Sequence, residues 1–288
     1  MTLPTISQGT TTSTTTPQRP DTSRGRRVVE VVAFVTVWVA AGYLLPIGAE
    51  AYLLLGIPLT AAFQVVVRRR PLRELFASGT ARFALSRRGV ALAAVLAVVP
   101  GVYATRALAA GEMTLFGWYV AAMAGAVAAA FSLRASSVLG MVRHAALPIV
   151  IGSVGMATVF GTLHVVGGTP LPVWAALAAL VKYTALYFPA TFLLEEVTFR
   201  GAVDAHVHHD GEGRGWQSAV LVSALWGLWH LPVSSGLPFP LLVAQLVVVH
   251  VGIGVPLSFA WRRTRNLAAP ALAHAVVDAV RNATMLGL

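Results

Sequence analysis

Long apolar blocks, separated by short polar stretches, follow one another from about residue 28 to the end of the chain. Each block has about 17 residues or more, which is the length that an α-helix needs to cross the apolar core of a bilayer. The pattern therefore predicts an all-α polytopic transmembrane bundle with about nine spans. These spans are predicted near residues 28–46, 51–67, 89–107, 115–133, 145–166, 172–195, 217–233, 240–260 and 267–287.

The composition also indicates a membrane protein. Hydrophobic residues make up 57% of the chain and charged residues 11%, whereas soluble domains average about 25% charged residues. Residues 1–27 differ from the rest because they are rich in Thr, Ser, Pro and Arg, so we expect a disordered cytoplasmic tail there. The chain has no cysteine, which excludes disulfides, cysteine nucleophiles and thiolate metal sites.

The positive charges indicate how the spans are oriented. A net charge of +10 would suggest nucleic acid as the partner of a soluble protein, but here the basic residues lie between the apolar blocks. With the N-terminus in the cytoplasm, 18 of the 21 lysines and arginines fall in the tail or in cytoplasmic connections. The exceptions are Arg106, Lys182 and Arg281. We therefore expect a multi-pass protein of the cell membrane that contacts lipid and does not bind nucleic acid.

Two adjacent glutamates end the sixth predicted span. On a helix, Glu196 and Arg200 are four residues apart and share a face, so they can form an ion pair. Glu195 is rotated by about 100° from Glu196 and has no local partner. Charged groups within spans are costly and are functional hypotheses by default. We interpret Glu195 as a candidate general base, and the alternative is that both glutamates are ordinary charges at the membrane boundary.

Two later segments carry histidines. His230 follows Trp226 by four residues and precedes Pro232, in the sequence WGLWHLP, and it is either a site residue or a hydrogen-bonded core histidine. His274 and Asp278 are also four residues apart and face the same way. That pair can hold a metal ion, stabilise the helix, or act on a reacting oxygen atom.

Other polar residues are weaker candidates. The cluster HVHHD, with His206, His208 and His209, resembles a metal loop, but we expect a solvated cytoplasmic loop. We interpret His164 and His250 as core or helix-end histidines, and His250 can also support the site from a second layer. Lys182 is expected to extend to the outer interface.

Taken in order, the motifs EEVTFRG, WGLWHLP and HAVVD resemble those of the CPBP family, which comprises type II CAAX prenyl endopeptidases and related intramembrane proteases. The resemblance implies a CPBP-like protease domain over residues 172–288, preceded by transmembrane spans without recognised chemistry over residues 28–171. It further implies a site that opens toward the cytoplasm. Carried over by position, the family's roles are as follows. The residues that activate water would be Glu195 and His230, those that stabilise the oxyanion would be His274 and Asp278, and the structural residues would be Glu196, Arg200 and Trp226.

Two positions depart from the family pattern, because Trp226 stands where Phe is usual and Asp278 stands where Asn is frequent. An ionised Asp cannot donate a hydrogen bond to an oxyanion. Asp278 is therefore protonated, orients His274, or binds a metal. The glutamate mechanism needs no cofactor, and the alternative is a metalloendopeptidase with Zn²⁺ on His230, His274 and Asp278 or Glu195.

The function predicted from these residues is an intramembrane endopeptidase that cuts a membrane-associated peptide or protein, such as a CAAX-type tail or a leader peptide. Two alternatives use the same residues differently. In the first, the chain is a non-catalytic immunity or scaffold protein of the same fold. In the second, the buried Glu and His residues relay ions in a coupled transporter.

Overall fold

The computed structural model describes residues 23–77, 84–133 and 137–288. Within these residues the protein is helical, and the only strand-like pairing is an isolated bridge between Ala77 and Asn266. The bounds of the main helices are α1 Arg24–Leu44, α2 Ala49–Ala62, α3 Arg87–Ala109, α4 Met113–Leu133, α5 Val138–Gly167, α6 Val173–Thr191, α7 Trp216–Trp229, α8 Phe239–Thr264 and α9 Ala268–Thr284. Short 3₁₀ turns cover Leu72–Leu75, Asp210–Glu212 and Leu231–Val233. The all-α polytopic architecture is thereby confirmed.

A helix lies at each of the nine predicted positions. In the described part of the chain, seven helices are long and apolar enough to cross a membrane. The other two, α7 and α9, have 14 and 17 residues and are shorter than a full span. The chain is a multi-pass membrane protein, while the count of nine spans and the cytoplasmic N-terminus stay predictions.

The tail and part of the charge pattern fall outside the described residues. Residues 1–22 of the predicted tail are among them, and α1 already begins at Arg24, so residues 24–27 are helical and not part of a disordered tail. Ser23 starts this helix, since its side chain accepts a hydrogen bond from the Arg26 backbone N–H. Of the arginines used to orient the spans, Arg19, Arg82 and Arg134 also lie outside the described residues.

The helix that carries the two glutamates changes its geometry. Pro189 cannot donate a backbone hydrogen bond, and after it the helix continues past Thr191 as a wide π-helix over Phe192–Asp204 and ends at Val207. From here on, α6 denotes this whole helix. Its neighbour α4 approaches so closely that a Cβ atom at Gly125 would collide with the Pro189 carbonyl oxygen. The small residues of α4 therefore let α6 pack deep inside the bundle.

An aromatic cluster joins α1, α2, α6 and α7 directly below the histidine motif. The Trp229 ring lies 5.0 Å from the Trp38 ring and 5.4 Å from the Phe199 ring, measured between centroids. The Tyr52 hydroxyl donates a 2.8 Å hydrogen bond to the Trp229 carbonyl. Since Trp229 precedes His230, these contacts fix the end of α7 from which His230 projects.

Hydrogen bonds from one arginine connect several helix ends. Arg262, near the end of α8, donates to the Asp204 carboxylate, to the Gly215 carbonyl and to the Ser218 hydroxyl. We call these four residues the Arg262 clamp. The left-handed backbone of Gly215, with φ of +73°, suits glycine, and a Cβ there would lie 2.5 Å from the Arg262 guanidinium. The clamp thereby joins the ends of α6 and α8 to the start of α7.

A second arginine covers the end of the π-helical stretch. Arg68 donates hydrogen bonds to the carbonyls of Gly201 and Ala205, near the end of this helix. Burial lowers the pKa of the Arg68 guanidinium to about 10, so the side chain stays charged at neutral pH. Arg68 therefore anchors the C-terminal end of the helix that holds Glu195 and Glu196.

Candidate active site

The three sequence motifs converge in the bundle. The Glu195 Oε2 atom lies 3.9 Å from His230 Nε2 and 3.9 Å from His274 Nε2. Asp278 Oδ2 lies 3.5 Å from the same His274 nitrogen. The four predicted catalytic residues, contributed by α9, by the end of α7 and by the π-helical part of α6, thus form one group. The group is partly accessible, because the side chains of Glu195 and His230 are 13% and 22% exposed.

The hydrogen bonds of the two histidines determine which nitrogens face Glu195. His230 Nδ1 lies 2.9 Å from the Trp226 carbonyl oxygen, which can only accept, so Nδ1 carries the proton. In a neutral ring this leaves the His230 Nε2 lone pair toward Glu195. His274 Nδ1 lies 2.9 Å from the Glu196 carboxylate and donates to it, so its Nε2 faces Glu195 and Asp278.

The predicted pair of Glu196 and Arg200 is present and buried. The Arg200 Nε to Glu196 Oε2 distance is 3.6 Å, and both side chains are at most 1% exposed. Within the described residues the three guanidinium nitrogens have no hydrogen-bond partner. The guanidinium instead lies over the Trp226 ring, 4.9 Å from its centroid. Glu196 therefore serves two partners, Arg200 and His274.

Trp226 contacts Glu195 directly, which its predicted structural role did not include. Its indole Nε1–H donates a 2.9 Å hydrogen bond to Glu195 Oε2. Glu195, which has no partner on its own helix, is held in this way from α7.

Asp278 lies between the His274 ring and the Arg281 guanidinium. One carboxylate oxygen is 3.5 Å from His274 Nε2, and the other is 3.4 Å from an Arg281 guanidinium nitrogen. In the sequence, Arg281 stands out only as an exception to the distribution of positive charges. These contacts agree with an ionised Asp278 that orients His274. Of the three roles left open for Asp278, we adopt this one as a prediction.

Of the comparisons with known proteins, the comparison with protein families found a match. Residues 177–280 match the family described as type II CAAX prenyl endopeptidase Rce1-like. We refer to this matched segment as the Rce1-like domain, after the family to which it is similar. No curated protein and no solved structure matches the chain. The resemblance inferred from the three motifs is confirmed over the matched region, which contains all seven predicted site residues, whereas the domain limits of 172–288 stay a prediction.

The sequence predicts His250 to be a core or helix-end histidine, but in the structure it lies beside two residues of the candidate active site. Its ring centroid lies 4.3 Å from that of His230 and 4.6 Å from that of Trp226. Its Nδ1–H donates to the Leu246 carbonyl at 2.6 Å. Helices α7 and α8 meet at Gly227, where a Cβ would lie 2.5 Å from the Leu246 carbonyl oxygen. The only sequence signal for this contact was the cost of placing a histidine within a span.

The other histidines of the sequence analysis lie elsewhere. His206 bonds Glu30 at 2.8 Å and His208 lies 3.4 Å from Glu212, so these two histidines do not share one centre. The side chains of His206, His208 and His209 are partly buried, whereas a solvated loop was expected. His164 lies in the last turn of α5, where it contacts the carbonyls of Thr169 and Thr284, as expected of a helix-end histidine. Lys182 is exposed, with its amine over the Tyr183 ring at 4.2 Å.

The possible ligands of a metal ion in this region are His, Asp and Glu side chains. Among the residues that the structure describes, no group of three or more His, Asp or Glu side chains is arranged to hold a metal ion. This includes the alternative zinc ligands His230, His274 and Asp278. We therefore derive no catalytic step through a metal ion in the Rce1-like domain.

Proposed function

We propose that the chain is an intramembrane endopeptidase that hydrolyses a peptide bond of a membrane-associated peptide or protein. One observation carries the proposal: within an Rce1-like domain, a single glutamate oxygen lies 3.9 Å from the Nε2 atoms of two histidines that come from different helices. Peptide hydrolysis needs a base, a water molecule and a group that stabilises an oxyanion. A CAAX-type tail is the substrate class that the family description suggests, and a leader peptide is the alternative.

In the proposed first step, Glu195 and His230 act together on water. Their separation of 3.9 Å is too long for a direct hydrogen bond, and the proposal places one water molecule in contact with both groups. The Glu195 carboxylate takes one proton from this water, while His230 Nε2 accepts a hydrogen bond from the O–H that remains. The water oxygen then forms a bond to the substrate carbonyl carbon, whose π electrons move to oxygen and give a tetrahedral oxyanion.

In the proposed second step, His274 stabilises this oxyanion. A hydrogen bond to Glu196 orients the ring through Nδ1, and the nearby carboxylates favour the doubly protonated imidazolium. Its Nε2–H then donates to the oxyanion, as side-chain donors do in other acyl-transfer sites. Protonated Glu195 passes its proton to the leaving amide nitrogen as the carbon–nitrogen bond breaks. Asp278 in this scheme orients His274 and does not donate to the oxyanion.

The proposal is tested with the purified full chain in proteoliposomes and a library of membrane-anchored peptides that includes prenylated and unprenylated tails. We expect Glu195→Gln and His230→Ala to lower the cleavage rate by about 10²-fold or more, as loss of a general base does. The matched control is Glu112→Gln, which changes an exposed glutamate outside the Rce1-like domain. Retained cleavage in a folded Glu195→Gln protein would overturn the proposal.

Two further measurements separate the alternatives. Assays with and without a chelator, together with the metal content of the protein, test the metalloendopeptidase, and we expect cleavage to continue in chelator. If no substrate is cleaved and Glu195→Gln preserves the cellular role of the protein, the non-catalytic immunity or scaffold protein is the better description. Proton-coupled uptake into the same liposomes would favour the transporter.

A further inference from the structure

The Trp226 ring contacts both charged parts of the site. Its indole N–H donates to Glu195 Oε2 at 2.9 Å, and the Arg200 guanidinium lies over its face at 4.9 Å. The rings of His274 and His250 approach it nearly at right angles, with centroid distances of 4.9 and 4.6 Å. One side chain of α7 therefore touches the candidate base, the buried cation and two histidines.

Arg200 depends on this ring for part of its stabilisation. The guanidinium is fully buried, its nearest carboxylate oxygen is 3.6 Å away, and within the described residues its nitrogens make no hydrogen bond. The negative face of an indole attracts a cation, and the attraction grows where water is excluded. The guanidinium also lies close to α8, where a Cβ at Gly254 would be 3.2 Å from an Arg200 nitrogen. The cation thus lies against both α8 and the Trp226 ring.

A cation over the ring face draws electron density from the indole and makes its N–H a stronger hydrogen-bond donor. We infer that Trp226 is a positioning residue that connects the buried Glu196–Arg200 pair to Glu195 through its indole N–H. The inference rests on the proposed function for its catalytic consequence. It also gives a physical meaning to the departure at this position, because a Phe ring can accept the cation but has no N–H to hold the carboxylate.

The hydrogen bond fixes the orientation of the Glu195 carboxylate. Glu195 has no partner on its own helix, and the same oxygen that accepts from Trp226 lies 3.9 Å from each of the two histidine nitrogens. Without the indole N–H, the carboxylate is free to rotate about its side-chain bonds. The distance to His230, on which the activation of water depends, would then vary.

The first test removes the N–H and keeps the ring. Trp226 is replaced by β-(3-benzothienyl)alanine, in which sulfur takes the place of the indole nitrogen, and separately by Phe. We expect both variants to lower kcat by about tenfold or more, as loss of a hydrogen bond to a charged group does, with KM nearly unchanged. The matched control is the benzothienylalanine replacement at Trp229, which keeps the packing of the ring and whose buried indole nitrogen has no hydrogen-bond partner in the described structure. Equal kcat in the 226 and 229 analogues would overturn the inference.

The second test does not need protease activity, so it separates failure of this inference from failure of the proposed function. In protein labelled with [¹⁵N]tryptophan, Glu195→Gln replaces a charged acceptor by a neutral one. We expect the Trp226 indole proton to move upfield and the Trp229 proton to stay in place. Arg200→Lys, which keeps the charge but loses the planar guanidinium, is expected to move the Trp226 proton in the same direction. An unchanged Trp226 signal in Glu195→Gln would overturn the inference whatever the activity assays find.

Discussion

His274 donates a hydrogen bond from Nδ1 to the Glu196 carboxylate at 2.9 Å. The same carboxylate faces the fully buried Arg200 at 3.6 Å. The glutamate predicted to be structural therefore also orients a histidine of the candidate active site. We therefore expect both the stability of the protein and the proposed catalysis to depend on this one carboxylate.

The first prediction concerns Glu196→Gln. The substitution leaves the Arg200 cation buried without a charged partner, and breaking a buried pair in this way typically costs about 3–5 kcal/mol. We expect a clear fall in the unfolding temperature in detergent, measured by intrinsic fluorescence. We also expect loss of cleavage activity in the folded fraction, since the charge that favours the His274 imidazolium is removed.

The double variant Glu196→Gln/Arg200→Met is the control for this explanation. It removes both charges, so we expect it to recover part of the lost stability. Activity should stay low, because the contact between His274 and a carboxylate is still missing. A Glu196→Gln protein that unfolds at the wild-type temperature would contradict the assigned ion pair.

The second prediction concerns Asp278→Asn, which introduces the amide frequent in the family that the sequence resembles. In the structure this carboxylate lies between His274 and Arg281, at 3.5 and 3.4 Å. If it orients His274 as an anion, the neutral amide supports the imidazolium less well. We expect kcat to fall by about tenfold with KM nearly unchanged, measured by steady-state cleavage of one peptide. A variant more active than the wild type would instead identify position 278 as an oxyanion donor.

Local relationships in the site were predictable from the sequence. Glu196 with Arg200, and His274 with Asp278, are four residues apart, so helical geometry alone brings them together. The same helical geometry predicts that Glu195 has no partner on its own helix. The positions of the helices were predictable because apolar blocks of span length have few alternatives in a membrane.

Contacts between distant segments were not predictable from one sequence. Trp226 reaches Glu195 across 31 positions, and His274 reaches Glu196 across 78. No local period indicates which helices touch. The sixth span is predicted to end near residue 195, whereas the helix continues to Val207 with Glu196 and Arg200 buried inside it. Conversely, α7 ends at Trp229, before the predicted residue 233, because the chain turns at Leu231–Val233.

The third prediction concerns the Arg262 clamp. Arg262→Met removes the partner of Asp204, whose side chain is only 1% exposed, and leaves that carboxylate buried and unpaired. We expect a loss of about 3–5 kcal/mol in the free energy of unfolding, measured by denaturant titration in detergent. The control is Arg263→Met, a change at an exposed neighbour that should alter the stability little. Equal effects of the two substitutions would show that the clamp does not stabilise the bundle.

The fourth prediction concerns the pH dependence of the connection before α7. Burial acts to raise the pKa of Glu212, but hydrogen bonds from Ser218 and His208 and the charge of Arg262 lower it below the ordinary value. Folding therefore favours the ionised carboxylate. Its contribution to stability is complete above the ordinary carboxyl pKa of about 4.3 and is lost as the pH falls through the lowered value.

Glu212→Gln removes this titration and keeps an acceptor for the Ser218 N–H, which bonds the carboxylate at 2.6 Å. We expect the wild type to be more stable than the variant at pH 7, by a margin that shrinks below about pH 4.3. Unfolding temperatures of both proteins from neutral to acidic pH measure this margin. Glu112→Gln, at an exposed position, should show no such change with pH. A margin that stayed constant down to acidic pH would mean that the ionised Glu212 does not stabilise the start of α7, and the lowered pKa would need another cause.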